Sequence, residues 1–330
     1  MKAADLLAAF AQAGKATHLI GNLNAGVIIA LDMEGRLFTV KDGIVLNRVN
    51  PEAISGQNTH NHYFNPGGDG LWPAPEGTTH GYQYSTGNWR VSPGLRGIRY
   101  MVVEISKSGA TIQGEVDLIN NKGYGIPTLF KRQISLGIKK SALTVQVRES
   151  ITYIGQAELK NKDFLIAPWS LCQFDSGPGC EVVFPCTSKS SVWDLYDEPS
   201  SHYRHWTKTL CRSATDATMR YQIGLDDKVP YIEYRDPQRG LAVRRSAGLI
   251  SRDHAHIDIR DASPKVAPSK KGVRYSVYSD PAGFMEIEAV GGCPAIIVPG
   301  TELTVDITTR FQVNEQTAEH VKTEQLWYNS

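Results

Sequence analysis

Apolar and polar residues alternate through most of this chain. The runs "GRLFTVKDGIVLNRV" (35–49), "IRYMVVEISKSGATIQGEVDLI" (98–119), "LFKRQISLGIKKSALTVQVRESITY" (129–153), "MRYQIGLDDKVPYIEYRD" (219–236) and "LTVDITTRFQV" (303–313) all have a period of two. Gly, Asp, Asn or Lys-Ser turns bound each run, which is the pattern of half-buried antiparallel strands. Strands of five to nine residues are expected to recur from position 36 to position 313. Strand and helix do not alternate, which excludes a doubly wound fold.

Two segments depart from the period. At the start, Leu6, Leu7 and Phe10 fall on one face of a short helix, and Gly14 is placed to end it. At the end, "NEQTAEHVKTEQ" (314–325) is a polar helix candidate. The predicted fold is all-β: a large antiparallel β-sandwich with a short N-terminal helix. It is read as one domain over 1–330, with a helix in 1–14 and a polar tail in 315–330. "DASPKVAPSKKG" (261–272) reads as a long exposed loop.

Composition narrows the partners. Hydrophobic residues make up 41% of the chain, enough for a sizeable core. Lys+Arg and Asp+Glu nearly cancel, at 35 against 34, and no run of five like charges occurs, so nucleic acid is not an expected partner. Asp5 and Gln12 interrupt the first apolar run, against a signal peptide, and no later segment is long enough to span a bilayer. A soluble, cytoplasmic protein is the expectation. Five cysteines without CxxC spacing read as small core residues rather than as a zinc site or a disulfide framework.

One stretch fits none of this. "HNHYFNPGGDGLWPAPEGTTHGYQYSTGNW" (60–89) is rich in aromatics, glycine and histidine, and reads neither as a continuous core strand nor as an amphipathic helix. Long irregular segments inside compact domains are usually functional or disordered, and aromatics on this scale argue against disorder. A binding surface is expected here.

Within it, Gly67-Gly68, Trp72-Pro73, Gly77, His80-Gly81 and Trp89 resemble, in order and spacing, a segment of the galactose mutarotase-like (aldose 1-epimerase, hexose-6-phosphate epimerase) superfamily. "APWSLCQF" (167–174) and "FMEIEAVGGCPAIIVPGTELTVDITTRF" (284–311) are similar to its later segments, so the likeness runs in order over roughly 60–313. It is closer still to a mutarotase-like branch that carries "GGDxLWPAP" and "APWSL" patterns.

The resemblance implies sugar chemistry. A base removes the proton from O1 and an acid gives one to the ring oxygen, and carboxylates and histidines suit both tasks. By this likeness Glu288 is the base and His80 orients the sugar. Glu286, two residues earlier, shares the strand face of Glu288. The family's acid, a histidine, has no counterpart: Trp169 or Ser170 stands in its slot. The phosphate-binding arginine is replaced too, by Asn65-Pro66, so sugar-phosphate specificity is not implied.

His62, in a "HYFN" run like the lost segment, is the first substitute for the acid, and His254 and His256 in "RDHAHID" are the second. Trp72, Trp89 and Trp169 are candidate stacking platforms, joined by Asp69, Glu286 and Arg99 as candidate substrate-binding residues. His254, His256 and Asp258 share a strand face, where a solvated surface is commoner than a metal site. His202 and His205 read as surface residues. The expected partner is a sugar or oligosaccharide, with no cofactor and no metal. An aldose 1-epimerase-like enzyme comes first among the functions. A non-catalytic carbohydrate-binding protein, and a glycan hydrolase or lyase using Glu286 and Glu288 or Arg99, remain open.

Overall fold

The computed structural model describes residues 1–59, 61–82, 91–139, 142–196 and 199–313. Two ten-stranded antiparallel sheets carry most of it. The first runs Thr17–Gly21, Ala25–Ala30, Arg36–Lys41, Asp69–Ala74, Ala167–Asp175, Phe284–Val290, Tyr275–Asp280, Tyr221–Leu225 and Val192–Asp194, with Ile44–Val45 beside Arg36–Lys41. The second centres on Leu241–Ala247, Glu302–Val313, Ala142–Tyr153, Gly125–Lys139 and Gly109–Ile119. This is the expected antiparallel sandwich.

Period-two runs became strands because one face of each is buried. Gly125–Lys139 alternates buried and open positions along most of its 15 residues, and Glu302–Val313 does so along 12. These strands are longer than the expected five to nine residues. Each hairpin partner supplies a matching long alternating run, so the ladder continues until the turn. Pairing also begins earlier than expected, at Thr17.

The N-terminal helix spans Ala3–Gln12, burying Ala3, Leu6 and Phe10. Gly14 follows it at φ +65°, a conformation that suits glycine. Leu7 is only half-buried. Phe10 meets Phe38 at 6.0 Å between ring centroids, so the helix covers the outer face of the first sheet at one end. The segment 314–325 lies outside the described residues.

The stretch 60–89 holds a core strand after all. Asp69–Ala74 is buried at every position and pairs with Ala167–Asp175. Pro73 concealed it, because proline cannot donate to a ladder. It is tolerated because the strand meets Arg36–Lys41 only at Leu37↔Asp69.

All five cysteines are free and buried. Among the described residues no helix is long and apolar enough to cross a membrane.

Candidate functional site

The site is built on the outer face of the first sheet. Alternation along Phe284–Val290 sends Ile287 into the sandwich and Glu286 and Glu288 outward, yet the whole strand is buried. Register places Glu288 between Leu171 and Ser276, and Glu286 between Gln173 and Tyr278. The two carboxyl groups lie within hydrogen-bonding reach of each other. Their other partners are neutral. The Trp169 indole N–H donates to Glu288 at 3.1 Å, and the Gln222 amide donates to it at 3.2 Å. The Gln173 amide donates to Glu286, and also to Asn65 Oδ1 at 2.9 Å.

Burial lifts both carboxyls above the ordinary carboxylate range, and Glu288 is lifted well above it because the charge of Glu286 stands beside it. Two carboxylates this close do not both ionise easily, so the ionisation of one raises the cost of ionising the other.

A second cluster adjoins the first. Glu34 accepts from Arg36 Nη2 at 2.8 Å, from the Tyr63 hydroxyl at 2.7 Å and from the Trp72 indole N–H at 3.2 Å. Its backbone sits at φ +58°, in the left-handed region, in the turn between two paired strands. Such strain in a non-glycine residue costs about 1–2 kcal/mol and collects at functional sites. Arg36 lies against Gly70, where a Cβ would come within 2.7 Å of its guanidinium carbon. The absent side chain is what admits this arginine to the face.

Trp72 and Trp169 join the two clusters. They are register partners with perpendicular rings, 6.2 Å between centroids. Tyr63 meets Trp72 edge-on, also at 6.2 Å. With Tyr82, Val91 and Leu95 the tryptophans line a small cavity of about 10 Å³.

Behind this face, between the sheets, lies a buried ionic quartet. Asp69 is held by Arg132 at 2.7 Å and by Arg245 at 2.6 Å, and Arg132 also pairs with Glu149 at 2.7 Å. Arg132 donates to the Gly35 carbonyl at 2.8 Å, between Glu34 and Arg36, and Arg245 donates to the Ser170 hydroxyl, next to Trp169.

The structure thus brings together four of the sequence-derived candidates: Glu286, Glu288, Trp72 and Trp169. Others stand apart. Asp69 faces the interior, because strand alternation puts it opposite Gly70 and Trp72, and both its oxygens are occupied by arginines. His62 is exposed with its ring against Phe64, while its neighbour Tyr63 turns inward. Arg99 is 86% exposed and 4.0 Å from Asp32. The buried arginine of the face is Arg36.

His80 is buried, with Nε2 at 3.3 Å from the Lys162 carbonyl and Nδ1 at 3.2 Å from the Thr79 hydroxyl, so its ring is committed away from the glutamates. Burial lowers its pKa. His254 lies against Gly292 and near Asp253, and His256 packs on Gly272. Asp258 is taken by Arg260 at 2.8 Å and by the Ser269 N–H at 2.7 Å. Among the described residues no group of His, Cys, Asp and Glu is arranged to hold a metal ion. Trp89 lies outside the described residues, as does His60.

Sequence reasoning missed Glu34, Arg36, Tyr63, Gln173 and Gln222. The one local signal was "EGR" at 34–36, a charged turn between apolar runs whose arginine ends up fully buried.

A sequence profile described as "Family of unknown function (DUF6786)" matches residues 6–231. The chain belongs to that family. No curated protein gives a significant sequence match.

Several solved structures share the fold of this DUF6786 member. An Escherichia coli K12 protein, assigned provisionally as an aldose 1-epimerase, superposes with a TM-score of 0.54 at 12% identity, covering 91% of this chain and all of its own. A Synechocystis sp. PCC 6803 protein gives 0.55 at 11%, covering 91% and 96%. A galactose mutarotase-like protein from Lactobacillus casei gives 0.53 at 12%, covering 90% and 100%. At such identities the likeness establishes the fold, which is galactose mutarotase-like.

Proposed function

We propose that the outer face of the first sheet binds a carbohydrate, and that the Glu286–Glu288 pair moves the protons that open and close its ring, as an aldose 1-epimerase does. The observation that carries this reading is the buried carboxyl pair itself, held by an indole and two amides beneath an aromatic wall. O1 and the ring oxygen of an aldose hang on the same carbon, so donor and acceptor must work within a few ångströms of each other. A pair sharing one proton meets that demand. One carboxylate takes the proton from O1, the C1–O1 bond becomes a carbonyl, the C1–ring oxygen bond breaks, and the partner carboxylic acid protonates the ring oxygen. Rotation about C1–C2 and the reverse steps give the other anomer and restore the pair.

In this reading the missing family histidine is not replaced by another histidine. Trp169, one of the two residues that could stand in its slot, instead donates to Glu288 and steadies the charged form. A second reading keeps the same face as a sugar-binding surface without turnover. It is favoured by the commitment of His80 to Lys162 and the exposure of His62, which leave no described imidazole bonded to the glutamates.

Saturation-transfer NMR against a panel of free aldoses, with α/β exchange spectroscopy in the same sample, tests both. Contact with accelerated exchange, abolished in Glu288→Gln, is the expected result. Contact without exchange would select the second reading, and no contact with any sugar would overturn both.

A further inference from the structure

The atoms left over on this face point to the charge of its ligand. Among the described residues, one buried guanidinium, Arg36, stands between Glu34 and Glu286, and Glu288 adjoins Glu286. Arg36 is already spent on Glu34, on the Tyr63 hydroxyl at 3.3 Å and on the Gly67 carbonyl at 3.3 Å. The nearby arginines are engaged as well. Arg220 donates to the Tyr278 and Tyr196 hydroxyls at 3.0 and 3.2 Å, and Arg48 donates to the Gly283 carbonyl at 3.3 Å and faces Asp175 at 4.0 Å.

Buried polar atoms around the carboxyl pair that lack a hydrogen-bond partner include the amide oxygens of Gln173 and Gln222, whose nitrogens are turned to Glu286 and Glu288, and one donor, the amide nitrogen of Asn65 beside Gln173. The two glutamines are 1% and 2% exposed, so each orphan acceptor costs free energy until a donor reaches it. These two oxygens can only accept.

We propose that this face takes a sugar bearing a protonated amine in preference to a neutral one, and excludes sugars bearing a carboxylate or phosphate. An ammonium brings up to three donors to acceptors that lack them, and a positive charge to a carboxyl pair whose hydrogen-bond partners are neutral. An anionic group would meet the same carboxyls with the arginines already occupied. The inference rests on the reading that this face binds a sugar.

The test is competitive saturation-transfer titration of the full chain with glucosamine, N-acetylglucosamine, glucose and glucuronate near neutral pH. Glucosamine should bind about tenfold or more tightly than its N-acetyl counterpart and glucose, the scale of a charge-assisted hydrogen bond, and glucuronate should not bind. Glucosamine no tighter than glucose, or glucuronate as tight as glucose, would overturn this inference and leave sugar binding standing. No binding by any of the four would overturn sugar binding too. Glu286→Gln, checked for folding by circular dichroism, should erase the amine's advantage. A folded variant that keeps it would remove the carboxyl pair as its cause, and if the variant does not fold, the four-sugar comparison decides alone.

Discussion

Trp72 and Trp169 face each other on neighbouring strands, rings perpendicular, and each gives its indole N–H to a different glutamate: Trp72 to Glu34 and Trp169 to Glu288. The wall that shapes the face is therefore also what fixes its carboxylates. Two of the three expected stacking platforms, Trp72 and Trp169, are hydrogen-bond donors with buried rings.

Trp169→Phe keeps an aromatic ring at the register pair and removes that donor. Loss of one hydrogen bond to a buried carboxyl should cost about 1–3 kcal/mol and lift the Glu288 pKa further. Thermal unfolding should show the drop, and any anomer exchange should slow. Trp169→Phe with an unchanged melting temperature would mean the indole bond carries nothing.

Stability should fall as pH rises above the carboxylate range. Glu286 and Glu288 have folded-state pKa values raised by burial, so the folded chain binds protons more tightly than the unfolded one. Their contribution is fully present below about pH 4, the unfolded carboxylate value, and is lost as pH climbs through the raised folded values. Melting temperatures of the native chain and Glu288→Gln from pH 5 to pH 9 check the sign. The variant should lose less on the alkaline side.

Gly70→Ala should displace Arg36. The added methyl would lie 2.7 Å from the guanidinium carbon and 2.9 Å from Cδ, so the side chain must move off the face. Overpacking of this kind costs about 1–3 kcal/mol. The informative readout is sugar contact by NMR, expected to weaken in a chain that still unfolds cooperatively. A variant with native contact would show that Arg36 adapts.

Asp69→Asn should destabilise the chain by about 3–5 kcal/mol in urea unfolding, because it leaves Arg132 and Arg245 buried with one carboxyl fewer. Burial alone would raise the Asp69 pKa, but the two guanidiniums outweigh it and hold the carboxyl below its usual value. Its stabilisation is present above the unfolded aspartate pKa, and is lost as pH falls through the lowered folded value. A change under about 1 kcal/mol would mean that the quartet is replaceable.

Much of the sheet system could be read before any coordinates. The long hairpin strands announce themselves by alternation, since one face meets the other sheet and one meets water. The strand Asp69–Ala74 does not, because it is buried on both faces and carries a proline, so "DGLWPA" reads as a loop. Glu288 was legible through the resemblance to the mutarotase-like superfamily, and Glu286 because two residues along a strand share a face. In "HNHYFN" the histidines drew attention, yet His62 is exposed and Tyr63 is the residue bonded to Glu34. One residue of register separates them, and nothing local states which side is covered.

What the sequence determined by itself is therefore the class of fold and the position of the long strands along the chain, consequences of short-range periodicity, while the pair of glutamates followed from the resemblance together with the shared strand face. Only the tertiary structure decided that Arg36, 250 positions before Glu286, lies on the same face, that Asp69 belongs to a core quartet, and that Trp169 serves Glu288. Those facts depend on which strands become neighbours and on how far each side chain is withdrawn from water. Long-range pairing sets both, and the spacing of residues along the chain does not encode it.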